Sequence, residues 1–176
     1  TPDVAYQIGS AASKRALEID PLEPSAYINL AADKIYYEYD FPAARALLLE
    51  ARKLAPRLPT VHMLFGTAAA YCGELEEALG HLDAAQEVDP LFPAIRANRG
   101  VAYYFAGKFD DANRVFLDLL TEYPQRTATR ISLASSLTMC GAYEAARNEL
   151  NAVIEHDPEE ASARLALAIL TARDGD

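Results

Sequence analysis

Apolar side chains return at the period of a helix face between Pro59 and Cys72: Val61, Leu64, Phe65, Ala68 and Ala69 fall at steps of one, three and four. Gly73 follows, and glycine takes the left-handed backbone that closes a helix C-terminus without steric cost. A second helix is predicted over about Leu75–Val88, with Glu76 and Glu77 in its first turn, where the helix dipole favours anions. Asp89-Pro90 ends it, because proline restricts the residue before it and brings no N–H to continue the ladder. The unit is a pair of antiparallel helices. Gly66 and Ala78 are the small residues at which two backbones approach, and Phe65 and Leu82 fill the space beside them.

That unit recurs. Pro56, Pro90, Pro124 and Pro158 stand 34 residues apart, with Pro21 35 residues before the first. Gly73, Gly107, Gly141 and Gly175 keep the 34-residue step, as do Leu75, Phe109 and Tyr143, then Ala78, Ala112 and Ala146, then Gly66, Gly100, Ala134 and Ala168. Independent residue types sharing one period indicate a stacked array in which each hairpin buries its apolar face on its neighbours. The phase gives a single array over 1–176: a lone second helix over 3–20, full units over 24–58, 59–92, 93–126 and 127–160, and a further first helix over 161–176 closed by Gly175. With half-units at both ends, Thr1 and Asp176 are expected to be cut points in a longer protein.

Three units carry the pattern most fully. They hold Phe65-Gly66, Gly73, Leu75, Ala78, Leu82, Ala85 and Pro90; then Gly100, Tyr103, Gly107, Phe109, Ala112, Phe116 and Pro124; then Leu133-Ala134, Leu137, Gly141, Tyr143, Ala146, Leu150 and Pro158. These residues resemble the tetratricopeptide repeat family, and Ala-Leu-Glu-Ile-Asp-Pro at Ala16–Pro21 resembles the family's unit ending. The resemblance implies an all-α, right-handed superhelical solenoid of antiparallel helix pairs, with first helices forming a concave wall. It also implies a non-catalytic scaffold that binds a protein or peptide.

Three features depart from the pattern. The first full unit has 35 residues, and no glycine ends its first helix near Tyr36-Tyr37-Glu38-Tyr39-Asp40-Phe41. Two readings stand: a longer helix capped by an aromatic plug, or a local widening that exposes tyrosines as a contact point. The aromatic-Asp-aromatic turn, with Asp-Pro-Leu-Phe-Pro at Asp89–Pro93, resembles bacterial arrays attached to winged-helix regulators or to cyclase or kinase domains. That resemblance implies a ligand- or partner-sensing regulatory domain as the alternative function. Arg99 stands where Phe65 and Leu133 face the core, so its head should snorkel or pair with an acid, or else anchor a partner's carboxylate. Arg96, Arg130 and Arg164 recur at 34 residues and should form a ladder, either packed along neighbouring helices or recruiting an acidic peptide.

Residues of one phase on the first helices line up in rows, and these rows hold almost no formal charge. The expected partner-binding groove comprises Tyr36, Met63, Thr67, Tyr71, Asn98, Val101, Tyr104, Phe105, Ser135 and Met139. Such a wall suits a helical or extended apolar peptide, with the aromatics and Met139 as anchors. A neighbouring repeat, or a second copy meeting the half-repeat ends or the groove, is the alternative cover. The lysines of the family's carboxylate clamp are missing, so that function is not carried over.

Charge narrows the partners. Twenty-six acids against 16 bases give a net charge of −10, which repels nucleic acid, and the acids of the second helices suit a solvated outer face. No run of 18 apolar residues offers a membrane span. His62, His81 and His156 have no partners at zinc-ligand spacing, and no nucleophile elbow, phosphate loop or dinucleotide fingerprint is present. Neither enzyme activity nor a metal or cofactor is therefore expected. Cys72 and Cys140, two repeats apart, should be free thiols, which fits a reducing compartment, with the cytoplasm as expected location.

Overall fold

The structure, a computed structural model, describes residues 2–174. Gly175, expected to close the last helix, lies outside the described residues, as do Thr1 and Asp176. Among the described residues the chain is all helical and holds no strand. It divides into two compact units, Thr1–Ile95 and Arg96–Asp176.

The first unit holds α1 (Pro2–Ile19), α2 (Pro24–Asp33), a π-helical turn over Lys34–Glu38, α3 (Phe41–Leu54), α4 (Pro59–Tyr71), α5 (Leu75–Val88) and the start of α6 (Pro93–Phe105). Its core joins Ile28, Ala31 and Ile35 to Ala44, Leu48 and Ala51 of α3 and to Val61, Leu64, Phe65 and Ala68 of α4. The second unit holds the rest of α6, then α7 (Phe109–Glu122), α8 (Thr127–Met139), α9 (Tyr143–His156) and α10 (Ala161–Asp174). Phe116, Leu120 and Leu133 pack together there, and Ala134, Ala146, Leu150, Val153, Ala163 and Leu170 form a second cluster. Each fully buried Leu or Phe contributes about 1.5–3 kcal/mol.

The hairpins close as the glycines predict. Gly73 has φ +78°, and the N–H groups of Gly73 and Glu74 donate to Ala70 and Ala69 carbonyls at 3.0 Å, satisfying orphan groups of the α4 terminus. Gly107 and Gly141 repeat this with φ +73° and +76°. The small positions set the approach of the paired helices. A Cβ on Gly66 would meet Leu82 Cγ at 2.9 Å and the Ala78 carbonyl oxygen at 3.0 Å, and a Cβ on Gly100 would meet Phe116 Cε1 at 2.4 Å.

The 35-residue unit resolves as a widening. Tyr39 occupies the place of the turn glycines, with φ 55°, the one non-glycine residue in the left-handed region among those described. The closing bond from Asp40 N–H to Lys34 O (2.9 Å) spans six residues, where Glu74 to Ala69 spans five. The extra residue is thus taken up by one π-helical turn, and the next helix starts in register. Asp40 caps α3 by accepting from the Ala43 N–H at 3.1 Å. The turn leaves Tyr36, Tyr37 and Tyr39 exposed, with Tyr37 stacked on Tyr6 at 4.6 Å.

Candidate peptide-binding surface

The predicted groove residues fall in both units, and each stretch stands on its own geometry. In the first unit, Tyr36 is 40% exposed and meets Tyr71 edge-on, ring centroids 6.4 Å apart. Phe41 meets the same Tyr71 edge-on at 6.0 Å, so Tyr71 is half-buried between two aromatic edges. Burial first, then the neighbouring phenols of Tyr36 and Tyr39, push the Tyr71 hydroxyl up to about 12. It stays protonated at neutral pH and retains its donor. Met63 is half-buried on the same helix.

Thr67 corrects the expectation. It is buried at 1% exposure and lies beneath the surface rather than on it. Its hydroxyl donates to the Met63 carbonyl at 2.9 Å, one turn back on its own helix, and has no proton left for a partner.

In the second unit, Asn98 and Val101 are half-buried, and Val101 packs against the Phe116 cluster. Tyr104 meets Phe105 edge-on at 5.3 Å and Phe109 at 5.7 Å. Phe105 and Met139 are 47% and 41% exposed at the ends of α6 and α8. Tyr104, Ser135 and Met139 come together in one pocket of about 200 Å³, walled further by Thr138, Ile169 and Arg173. The Ser135 hydroxyl donates to the Ile131 carbonyl at 3.0 Å and the Thr138 hydroxyl to the Ala134 carbonyl at 2.8 Å.

Arg173 is absent from the expected wall, yet it stands 34 residues after Met139 and so continues the row Tyr71, Phe105, Met139. Its guanidinium Nη1 lies 3.3 Å from Met139 Sδ. The repeat step was the available signal; extending it past the apolar members would have found this cation.

Two of the three ladder arginines pair within their own hairpins. Arg96 pairs with Glu122 at 2.7 Å, and Arg130 pairs with Glu149 at 2.5 Å while its Nε donates to the Pro124 carbonyl at 3.1 Å. In both cases the first helix is tied to the second helix of its own hairpin. Arg164 is exposed, and Arg99 is half-buried and not without a partner.

Of the remaining histidines and thiols, His62 has its Nδ1 buried and without a hydrogen bond among the described residues. His81 stacks on Phe65 at 4.9 Å, with Arg52 5.2 Å from the centroid of that ring. His62 Nε2 lies 3.2 Å from the Pro56 carbonyl. Cys72 and Cys140 are exposed free thiols, and burial, then Glu74 and Glu77, pushes the Cys72 thiol up, opposite to the direction of an activated nucleophile. Among the described residues, no three metal-ligating side chains cluster, and no helix is long and apolar enough to cross a membrane.

Comparison with known proteins agrees with this architecture. Residues 103–170 match the family model for the tetratricopeptide repeat. A thermophilic tetratricopeptide-repeat protein of Thermus thermophilus superposes with TM-score 0.83 at 22% identity, over 95% of this chain and 91% of that one. The APC/C hetero-tetramer Cut9–Hcn1 gives TM-score 0.77 at 17% identity, over 98% of this chain and 34% of that one. YrrB, a tetratricopeptide-repeat protein described as having an unusual peptide-binding site, gives TM-score 0.57 at 19% identity, over 94% and 84%. At these identities the likeness is one of fold.

Proposed function

We propose that this chain, of which residues 103–170 match the tetratricopeptide repeat, is a non-catalytic protein-interaction scaffold that holds a helical or extended apolar peptide on its first helices. The observation that carries this reading is the pair Phe105 and Met139, large side chains left 47% and 41% exposed at the ends of α6 and α8, with Met139 lining a pocket rather than a core. YrrB's peptide-binding site supports the class of ligand. The net charge of −10 supports a protein partner over nucleic acid.

The test is panning of a random peptide display library against the chain, then fluorescence polarisation with the selected peptides. Apolar and aromatic residues should dominate the selection. Phe105→Ala and Met139→Ala should each weaken binding by about tenfold, as truncation of an interface anchor does, with helicity unchanged. Full affinity in both variants would refute the surface. A regulatory sensor would instead gain thermal stability from a small molecule by mass action, with no peptide selected.

A further inference from the structure

The pocket between α8 and α10 has a composition that specifies its occupant more narrowly than an apolar groove does. At about 200 Å³ it falls below the range of roughly 300–1,000 Å³ that takes a whole small molecule, and suits one large side chain. Its wall offers the Tyr104 ring, Met139 and Ile169 as apolar surface. The hydroxyls of Ser135 and Thr138, two residues of its wall, give their protons to helix carbonyls and keep only acceptor lone pairs. A ligand's polar group finds no hydroxyl donor from these two residues. At the rim stands Arg173, exposed, with its guanidinium resting on the Met139 thioether and with no ion pair among the described residues. Among the described residues no carboxylate lines the pocket. Arg96 and Arg130 are each already neutralised by an acid of their own hairpin.

We propose that this pocket takes a large apolar side chain of a partner protein, and that Arg173 pairs with a carboxylate on the residue next to it. The partner segment is thus an apolar residue followed or preceded by Asp or Glu. The charge complementarity is local. The chain as a whole is acidic and repels acidic segments, so Arg173 selects register and sequence at close range while the apolar side chain supplies the hold. A guanidinium seated on a thioether is partly ordered before the carboxylate arrives, which lowers the entropy lost on pairing. The proposal rests on the peptide-binding reading above.

The probe is a cellulose array of amidated hexapeptides whose third and fourth positions run over all twenty residues. It is incubated with the labelled chain and then with two variants. Spots with Leu, Ile, Met or Phe beside Asp or Glu should be retained at least about tenfold over their Asn or Gln counterparts, the worth of a charge-assisted hydrogen bond. Arg173→Met should bring that ratio to within about twofold while keeping the apolar preference, and Arg173→Glu should transfer the preference to Lys and Arg. Circular dichroism checks that both variants keep full helicity, as expected for a side chain on the exposed end of α10. Apolar spots retained with no acidic preference, or an acidic preference that survives Arg173→Glu, would overturn the proposal and leave the groove reading standing. An array with no retained spot would overturn both.

Discussion

Gly100→Ala should destabilise the second unit, although the same exchange inside an ordinary helix stabilises by about 0.8–1 kcal/mol. The added Cβ would stand 2.4 Å from Phe116 Cε1 and 2.7 Å from Cζ, where carbon atoms pack at about 3.5–4.0 Å. Phe116 is 1% exposed, so the ring has no route into solvent. Overpacking of a core costs about 1–3 kcal/mol. With a clash this close the cost sits at the upper end, and the net loss should be about 1–2 kcal/mol. One repeat later the two equivalent positions hold Ala134 and Leu150, both 1% exposed. Gly100→Ala with Phe116→Leu therefore installs a pair that the following hairpin already packs. Phe116→Leu alone opens a void and should cost about 1–2 kcal/mol. The double variant should lose less than the sum of the two, with a coupling of about 1 kcal/mol or more in its favour. Urea unfolding followed at 222 nm, with m-values compared to confirm that the same transition is measured, reads all four corners of the cycle. A neutral or stabilised Gly100→Ala, or an additive double variant, would refute the claim that a missing Cβ sets the α6–α7 approach.

Other expectations follow from single residues. Tyr39→Gly should stabilise the chain by about 1 kcal/mol, because Tyr39 holds a left-handed backbone while 68% exposed and has little packing to lose; a loss in urea unfolding would show that the ring, not the backbone, dominates. Burial, with His62, Arg52 and Arg45 adding to it against the opposing Glu77, holds His81 below the ordinary 6.5. The folded chain then binds fewer protons there than the unfolded one, so this contribution to stability is complete above pH 6.5 and is lost as pH falls through the folded value. His81→Phe keeps the stack on Phe65 and should flatten the stability slope below pH 6.5; an unchanged slope would count against the assignment. Arg130→Met should cost about 1 kcal/mol through loss of the half-buried Glu149 pair, and the effect should shrink when Glu149 is already Gln.

The helical hairpins were legible because each boundary has a local cause. Gly73, Gly107 and Gly141 mark the left-handed closures, and Pro59 and Pro93 mark helix starts. The π-helical turn was not, since an extra residue between Ile35 and Phe41 fits several backbone paths, and Tyr39 gives no compositional sign of positive φ. Thr67 shares the phase of surface residues, but phase does not reveal that its hydroxyl folds back to Met63. The arginine ladder repeats at 34 residues while its acids do not: Glu122 lies 26 residues after Arg96 and Glu149 only 19 after Arg130, so no fixed spacing advertised the pairs. Arg173 was hidden by residue type, a cation continuing an aromatic and thioether row.

The chain has only two methionines, Met63 and Met139, which makes methyl NMR of ¹³C-labelled methionine a direct test of where a peptide sits. On titration with an array-selected apolar peptide, the Met139 methyl signal should move in step with occupancy read by polarisation. Both methyl signals holding still at saturation would contradict a binding surface built on the first helices.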